Sequence, residues 1–179
     1  LLALAFAGLG LAGCGEEPAS TEAQDRADAE AVAAVLAQQT PPPVELALQP
    51  ITTADIVKNS AMEGAGCSFT PGGEEDPFAI LGDSMGFVKF EGSIQRLAAD
   101  AGSKEGPFGT RVKYDGRDYS LRVSIDEAAK EDGEGDNNWV APATLSMLDG
   151  YDREVANSEG RVACGGGVNP PGLRDRARG

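Results

Sequence analysis

Tyr119-Ser120-Leu121-Arg122-Val123-Ser124-Ile125 is the stretch that decides the fold class. Four apolar side chains alternate with three polar ones over seven residues. A strand turns successive side chains to opposite faces, so this run has one dry face and one wet face. At the helical period the same four residues would not share a face. A sheet that is dry on one side only is characteristically antiparallel.

Similar signals flank it. Arg111-Val112-Lys113-Tyr114 leads into Asp115-Gly116, a turn pair because both residues tolerate positive φ, so a hairpin is expected there. Gly86-Phe87-Val88-Lys89-Phe90, then Glu91-Gly92, then Ser93 to Ala98 reads as another. Downstream, Glu127 to Asn138 is a polar loop, and Val140 to Leu148 places Ala143, Leu145 and Met147 on one face against Thr144 and Ser146. Pro142 has no N–H to donate, which predicts an edge or an irregular start for that strand. Glu154-Val155-Ala156 and Gly160 to Cys164 read as closing strands, and Cys67-Ser68-Phe69 as the first. Thr53 to Lys58 reads as a short helix with Thr53 as the hydroxyl acceptor at its start. Residues 51–164 are therefore expected to form a mainly β domain: a small antiparallel sandwich or barrel of six or seven strands, with one short N-terminal helix.

The start of the chain speaks to location. Residues 1–13 are apolar or small, carry no charge, and are too few to span a bilayer, which needs about 20 residues. They read as the apolar part of a truncated secretory signal. Leu11-Ala12-Gly13-Cys14 closes the run and resembles the lipobox of bacterial lipoproteins. The resemblance implies that the Cys14 thiol carries diacylglycerol, that the signal is cut before it, and that acyl chains hold the protein in the bilayer. Gly15 follows, and a residue other than Asp there implies the periplasmic face of the outer membrane, with the inner membrane as the alternative.

With Cys14 used by lipid, Cys67 and Cys164 remain of the three cysteines. An exported protein meets an oxidising compartment, so the pair is expected to form a disulfide. Free thiols or a metal site are the alternatives; two Cys without any His supply too few zinc ligands. Residues 14–50 are expected to be the anchor and a disordered or marginally helical linker. Ser20 to Gln39 is rich in Ala, Gln and acids, and Pro41-Pro42-Pro43 ends any helix. Residues 165–179, rich in Gly and Arg, are expected to be a disordered tail.

The net charge is −14, from 29 acidic and 15 basic residues, which disfavours nucleic acid as a partner. Gly82-Asp83-Ser84-Met85-Gly86 matches the G-x-S-x-G elbow of α/β-hydrolases, and Gly-Asp-Ser resembles the GDS-type esterases. Both need a His to take the serine proton and the chain has none, so Ser84 is a weak nucleophile and a turn is the better reading. Asp132, Glu134 and Asp136 alternate in a Gly-rich loop. Ca²⁺ geometry would need Gly where Asn137 stands and Glu where Ala143 stands, so no metal and no cofactor is expected. Trp139, just past that loop, joins Asp132, Glu134 and Asp136 as the expected contact for a ligand or partner.

No catalytic residue is expected. The expectation is a lipid-anchored, non-catalytic domain that binds a periplasmic protein or maintains the envelope. Lysozyme inhibitors are the first alternative. Small disulfide-bonded β-barrel lipoproteins of that type are similar in size, anchor and acidic character, although their Ser-Gly-x-x-Tyr-like signature is missing here. A hydrolase using Ser84 is the second alternative.

Overall fold

The computed structural model describes residues 21–39, 41–64, 66–133 and 138–166. Cys14, Glu134, Asp136 and the expected tail beyond residue 166 lie outside the described residues. The chain divides into two units, residues 1–42 and 43–179. In the first, helix α1 runs over Thr21–Gln39 and buries none of its residues. Its Ala, Gln and acidic side chains are spread round the cylinder, so it has no apolar face to pack. Val32, Val35 and Leu36 are all more than half exposed. Among the described residues no helix is long and apolar enough to cross a membrane.

The second unit is an antiparallel barrel. Its strands are β1 (Gly66–Pro71), β2 (Ala79–Leu81), β3 (Met85–Phe90), β4 (Ser93–Ala99), β5 (Lys113–Asp115), β6 (Tyr119–Ile125), β7 (Glu131–Asp132), β8 (Trp139–Asp149) and β9 (Glu154–Gly165). β1 to β6 pair in sequence order, β8 pairs with β6, β7 and β9, and β9 returns to β1. Eight strands thus close a ring, and the two-residue β7 continues the line of β6 along β8. Closure leaves few open edges, which is how barrels avoid edge-to-edge association.

The eight staves correct the expected six or seven. β2 has three residues, too few for a period to show, while the two expected closing strands are one strand, β9. The turn after β5 is also displaced. Gly116 N–H donates to the Tyr119 carbonyl, so Arg117 and Asp118 make the bend instead of Asp115 and Gly116. The Glu91-Gly92 hairpin forms as expected, with both residues at positive φ, +50° and +73°.

The barrel interior is filled by its own side chains. Cys67, Phe69, Ala79, Leu81, Val88, Leu97, Tyr114, Leu121, Leu145, Met147 and Val162 are essentially inaccessible. Gly86 makes room for one of them: a Cβ there would lie 2.9 Å from the Tyr114 ring. The Tyr114 hydroxyl donates to the Gly82 carbonyl at 2.8 Å and accepts from Arg111 N–H at 2.9 Å, so no polar group is stranded. Burial pushes its pKa up, and the bond from Arg111 opposes that.

A second apolar cluster lies on the outer face of β2 and β3. Ile80 and Phe87 point away from the interior and are covered by Ile51, by Ile56 of helix α2 (Thr53–Lys58), and by Met62. The start of α2 is fixed by a capping box. Thr52, one residue ahead of the expected Thr53, accepts from Asp55 N–H while the Asp55 carboxylate takes the Thr52 N–H. Lys89 on β3 reaches the same carboxylate at 2.8 Å and ties helix to barrel.

One gap in the wall is closed from outside the ring. β1 and β2 are shorter than β9 and β3, which leaves Val155 and Lys89 without a ladder partner between them. The extended segment Leu46–Gln49 lies there. Leu46 N–H donates to the Val155 carbonyl, Leu48 bridges Phe90, and Gln49 N–H donates to the Lys89 carbonyl. Leu46 and Leu48 pack against the core, so the folded unit starts ahead of the expected Ile51.

Candidate functional site

The barrel has two rims. The first carries the hairpin tips at Glu91-Gly92, at Arg117-Asp118 and between β8 and β9, and the segment Leu46–Gln49 joins the wall there. The second carries the β2–β3 turn, the long β4–β5 loop, the connection from β6 to β8, and the Cys67–Cys164 disulfide. In the β4–β5 loop, the helical turn Pro107–Gly109 packs against β1 and β9. Phe108 is packed against the core with a left-handed φ of +54°, so this loop plugs the second rim.

Trp139 stands on that second rim. It opens β8, shares the inward face with Ala141 and Ala143, and lies opposite Cys164 of β9. It is partly buried against the core, and the Lys130 ammonium sits 5.3 Å from its ring centre. Pro142 explains how Lys130 gets there. In an antiparallel ladder a residue's N–H and C=O point to the same neighbour. The Pro142 carbonyl accepts from Asp126 N–H, so its missing donor faces the place where β6 stops. The chain leaves the ladder at Asp126, makes the helical turn Glu127–Ala129, and returns as β7 with Asp132 opposite Trp139. The expected irregularity at Pro142 is therefore a break in its partner rather than an edge of the sheet.

Of the residues expected to make contacts, the structure brings Asp132 and Trp139 together, and Asp132 is exposed. Glu105, Asp126, Glu127 and Glu131 are exposed on the same rim, with Lys104 and Arg111 among them. Glu131 pairs with Arg161 at 2.9 Å, and Glu105 with Arg111 at 3.7 Å. Among the described residues no group of three or more His, Cys, Asp or Glu is placed to hold a metal.

Ser84 lies in the turn joining β2 to β3, which Gly82 N–H closes on the Met85 carbonyl. A strand follows it where a nucleophile elbow has a helix. It borders a hollow of about 450 Å³ whose titratable groups are Glu63 and Asp83. Lys89 is held on the outer face by Asp55.

The sequence reading missed a cleft of about 390 Å³ at the first rim, between β4 and the tip of the β5–β6 hairpin. Its floor is Phe90, Leu97, Tyr119 and Met147, and its lip carries Gln95, Arg96 and Arg117. The Phe90 and Tyr119 rings meet edge to face at 5.5 Å beneath it. The cleft exists because β5 stops at Asp115, and a three-residue strand has no visible period.

Comparison with protein-family models, with curated proteins and with solved structures finds no match to this chain.

Proposed function

We propose that this chain is a lipoprotein of the bacterial envelope, anchored through Cys14, whose barrel is a non-catalytic binding domain. The observation that carries the reading is the filled interior. With Phe69, Tyr114, Leu121, Leu145 and Met147 occupying the space inside the ring, recognition falls to the rims and their loops. Trp139 is the aromatic anchor of one rim. It sits at the end of β8 away from Leu46–Gln49, where the preceding chain joins the wall. Trp is among the residue types most enriched at contact hot spots.

Two experiments test this. Cys14→Ser is expected to move the protein from the membrane fraction to the soluble one, and continued retention would refute the anchor. A photo-crosslinking side chain at Trp139 in live cells is expected to capture a defined envelope partner. The same side chain at Val57, exposed on the outer helix α2, is not. Equal capture from both sites, or none, would remove the rim from consideration.

Inhibition of a basic lytic enzyme is the second reading, favoured by the acids exposed around Trp139, which suit a basic partner. Hen lysozyme mixed with the purified protein tests it: slowed cell-wall lysis is expected, and undiminished lysis sinks it.

A further inference from the structure

The β3–β4 hairpin stands taller than the strands on either side of it, and its two edges are treated differently. On the β3 side, Gln49 N–H donates to the Lys89 carbonyl and Gly92 N–H to the Gln49 side chain. The chain has laid its own extended segment along that edge. On the β4 side the ladder to β5 covers Ala98 and Ala99 only. Asp100 N–H donates to Lys113 and Ala99 N–H to Ser84, which fixes the alternation: even-numbered residues face β5 and odd-numbered ones face β3. Arg96 therefore presents its backbone N–H and C=O to the cleft, and Ile94 follows on the same edge toward the hairpin tip, where β5 no longer reaches. The apolar floor of Leu97, Phe90 and Tyr119 lies in the cleft that Arg96 lines.

We propose that this open edge of β4 is a docking site for an extended peptide segment of a partner protein, which adds a strand to the barrel at Ile94 and Arg96. Two alternating donor–acceptor pairs spaced along a strand are matched by another polypeptide backbone. The floor takes an apolar side chain at every second position of the incoming segment. The other flank of the hairpin shows a related mode, where Leu46 and Leu48 turn into the core while Leu46 N–H bonds to Val155 of β9 and Gln49 N–H to Lys89 of β3. The occupant is thus expected to resemble that segment: extended, with leucine-like residues two apart. This deepens the binding reading above and rests on it, but uses the rim opposite Trp139.

The test selects displayed random decapeptides on the oxidised full-length chain and synthesises the survivors. Binding is expected to slow amide hydrogen exchange at Ile94 and Arg96 by about tenfold or more, the mark of new backbone bonds. Arg96→Pro removes the N–H that faces the cleft and no bond to β3, a substitution edge strands accommodate. It is expected to weaken the peptide about tenfold, whereas Arg96→Ala, which keeps the N–H, changes it less than about threefold. No selected peptide, unchanged exchange at both amides, or equal loss in the two variants would overturn the proposal. Should Arg96→Pro fail to fold, the exchange measurement on the unaltered chain decides alone. Self-association abolished by Arg96→Pro would place a second copy in the cleft and overturn the peptide assignment. Crosslinks from Trp139 that persist when the cleft takes no peptide would leave the binding reading standing and remove only this site.

Discussion

Cys67 and Cys164 face each other across the β1–β9 seam, with Cα atoms 4.1 Å apart and a sequence separation of 97. The bond between them locks the pair of strands that closes the ring. A cross-link spanning that much chain limits the unfolded ensemble strongly, and its removal is expected to cost about 2–5 kcal/mol. Cys67→Ser with Cys164→Ser should therefore lower the urea midpoint clearly and steepen the slope, because the freed denatured chain exposes more surface. An unchanged midpoint would show that the seam holds without the bond.

The Asp55–Lys89 pair predicts an acid-sensitive component of stability. Burial raises the Asp55 pKa, but the bonds from Lys89 and Thr52 outweigh it and hold the carboxyl at about 2, below its ordinary 3.8. A depressed acid stabilises the fold fully above its unfolded pKa. That contribution disappears as pH falls through the folded value, here between roughly pH 4 and 2. The shift corresponds to about 2 kcal/mol, and both side chains are less than one-fifth exposed, so little is lost to solvent screening. Thermal melts should show this drop in the wild type and a flatter acid limb in Asp55→Asn. Parallel pH profiles would rule the pair out as the cause.

Tyr114→Phe keeps the ring beside Gly86 but strands the Gly82 carbonyl and the Arg111 N–H. A buried group left without a partner costs about 1–3 kcal/mol. The loss is expected to appear locally as faster amide exchange in the β4–β5 loop. Unaltered exchange there would mean that the hydroxyl does not hold that loop.

Shortening the chain tests where the folded unit begins. A protein starting at Pro43 should melt like the full chain. One starting at Ile51 lacks Leu46 and Leu48 and opens the wall between Val155 and Lys89. Full burial of one leucine contributes about 1.5–3 kcal/mol, so two half-buried ones predict a loss of about 2–4 kcal/mol. Equal melting temperatures would show that the segment is only laid on the surface.

Most strands were legible because each is dry on one side, and alternation survives wherever a strand exceeds about five residues. β6, β8 and the β3–β4 hairpin are of this kind. β2 and β5 were lost or misplaced because three residues carry no period. The choice between sandwich and barrel was not legible either. It depends on whether the first and last strands meet, and the Cys67–Cys164 pairing was the one sequence feature pointing to their meeting. For the site, Trp139 was visible as the chain's single Trp beside a polar loop. The cleft beside Arg96 was invisible, since it is defined by where a neighbouring strand ends and not by any side chain.

The β1–β9 seam also sets the order in which this molecule can be made. A chain that emerges N-terminus first presents β1 early, yet its partner Cys164 follows 97 residues later. Until then the hairpins from β2 to β6 can form locally, but their inward faces have nothing to close against. Ring closure is a late, long-range step, and topologies dominated by such contacts fold slowly. The domain therefore stays open, with its inward faces uncovered, until nearly all of it has appeared.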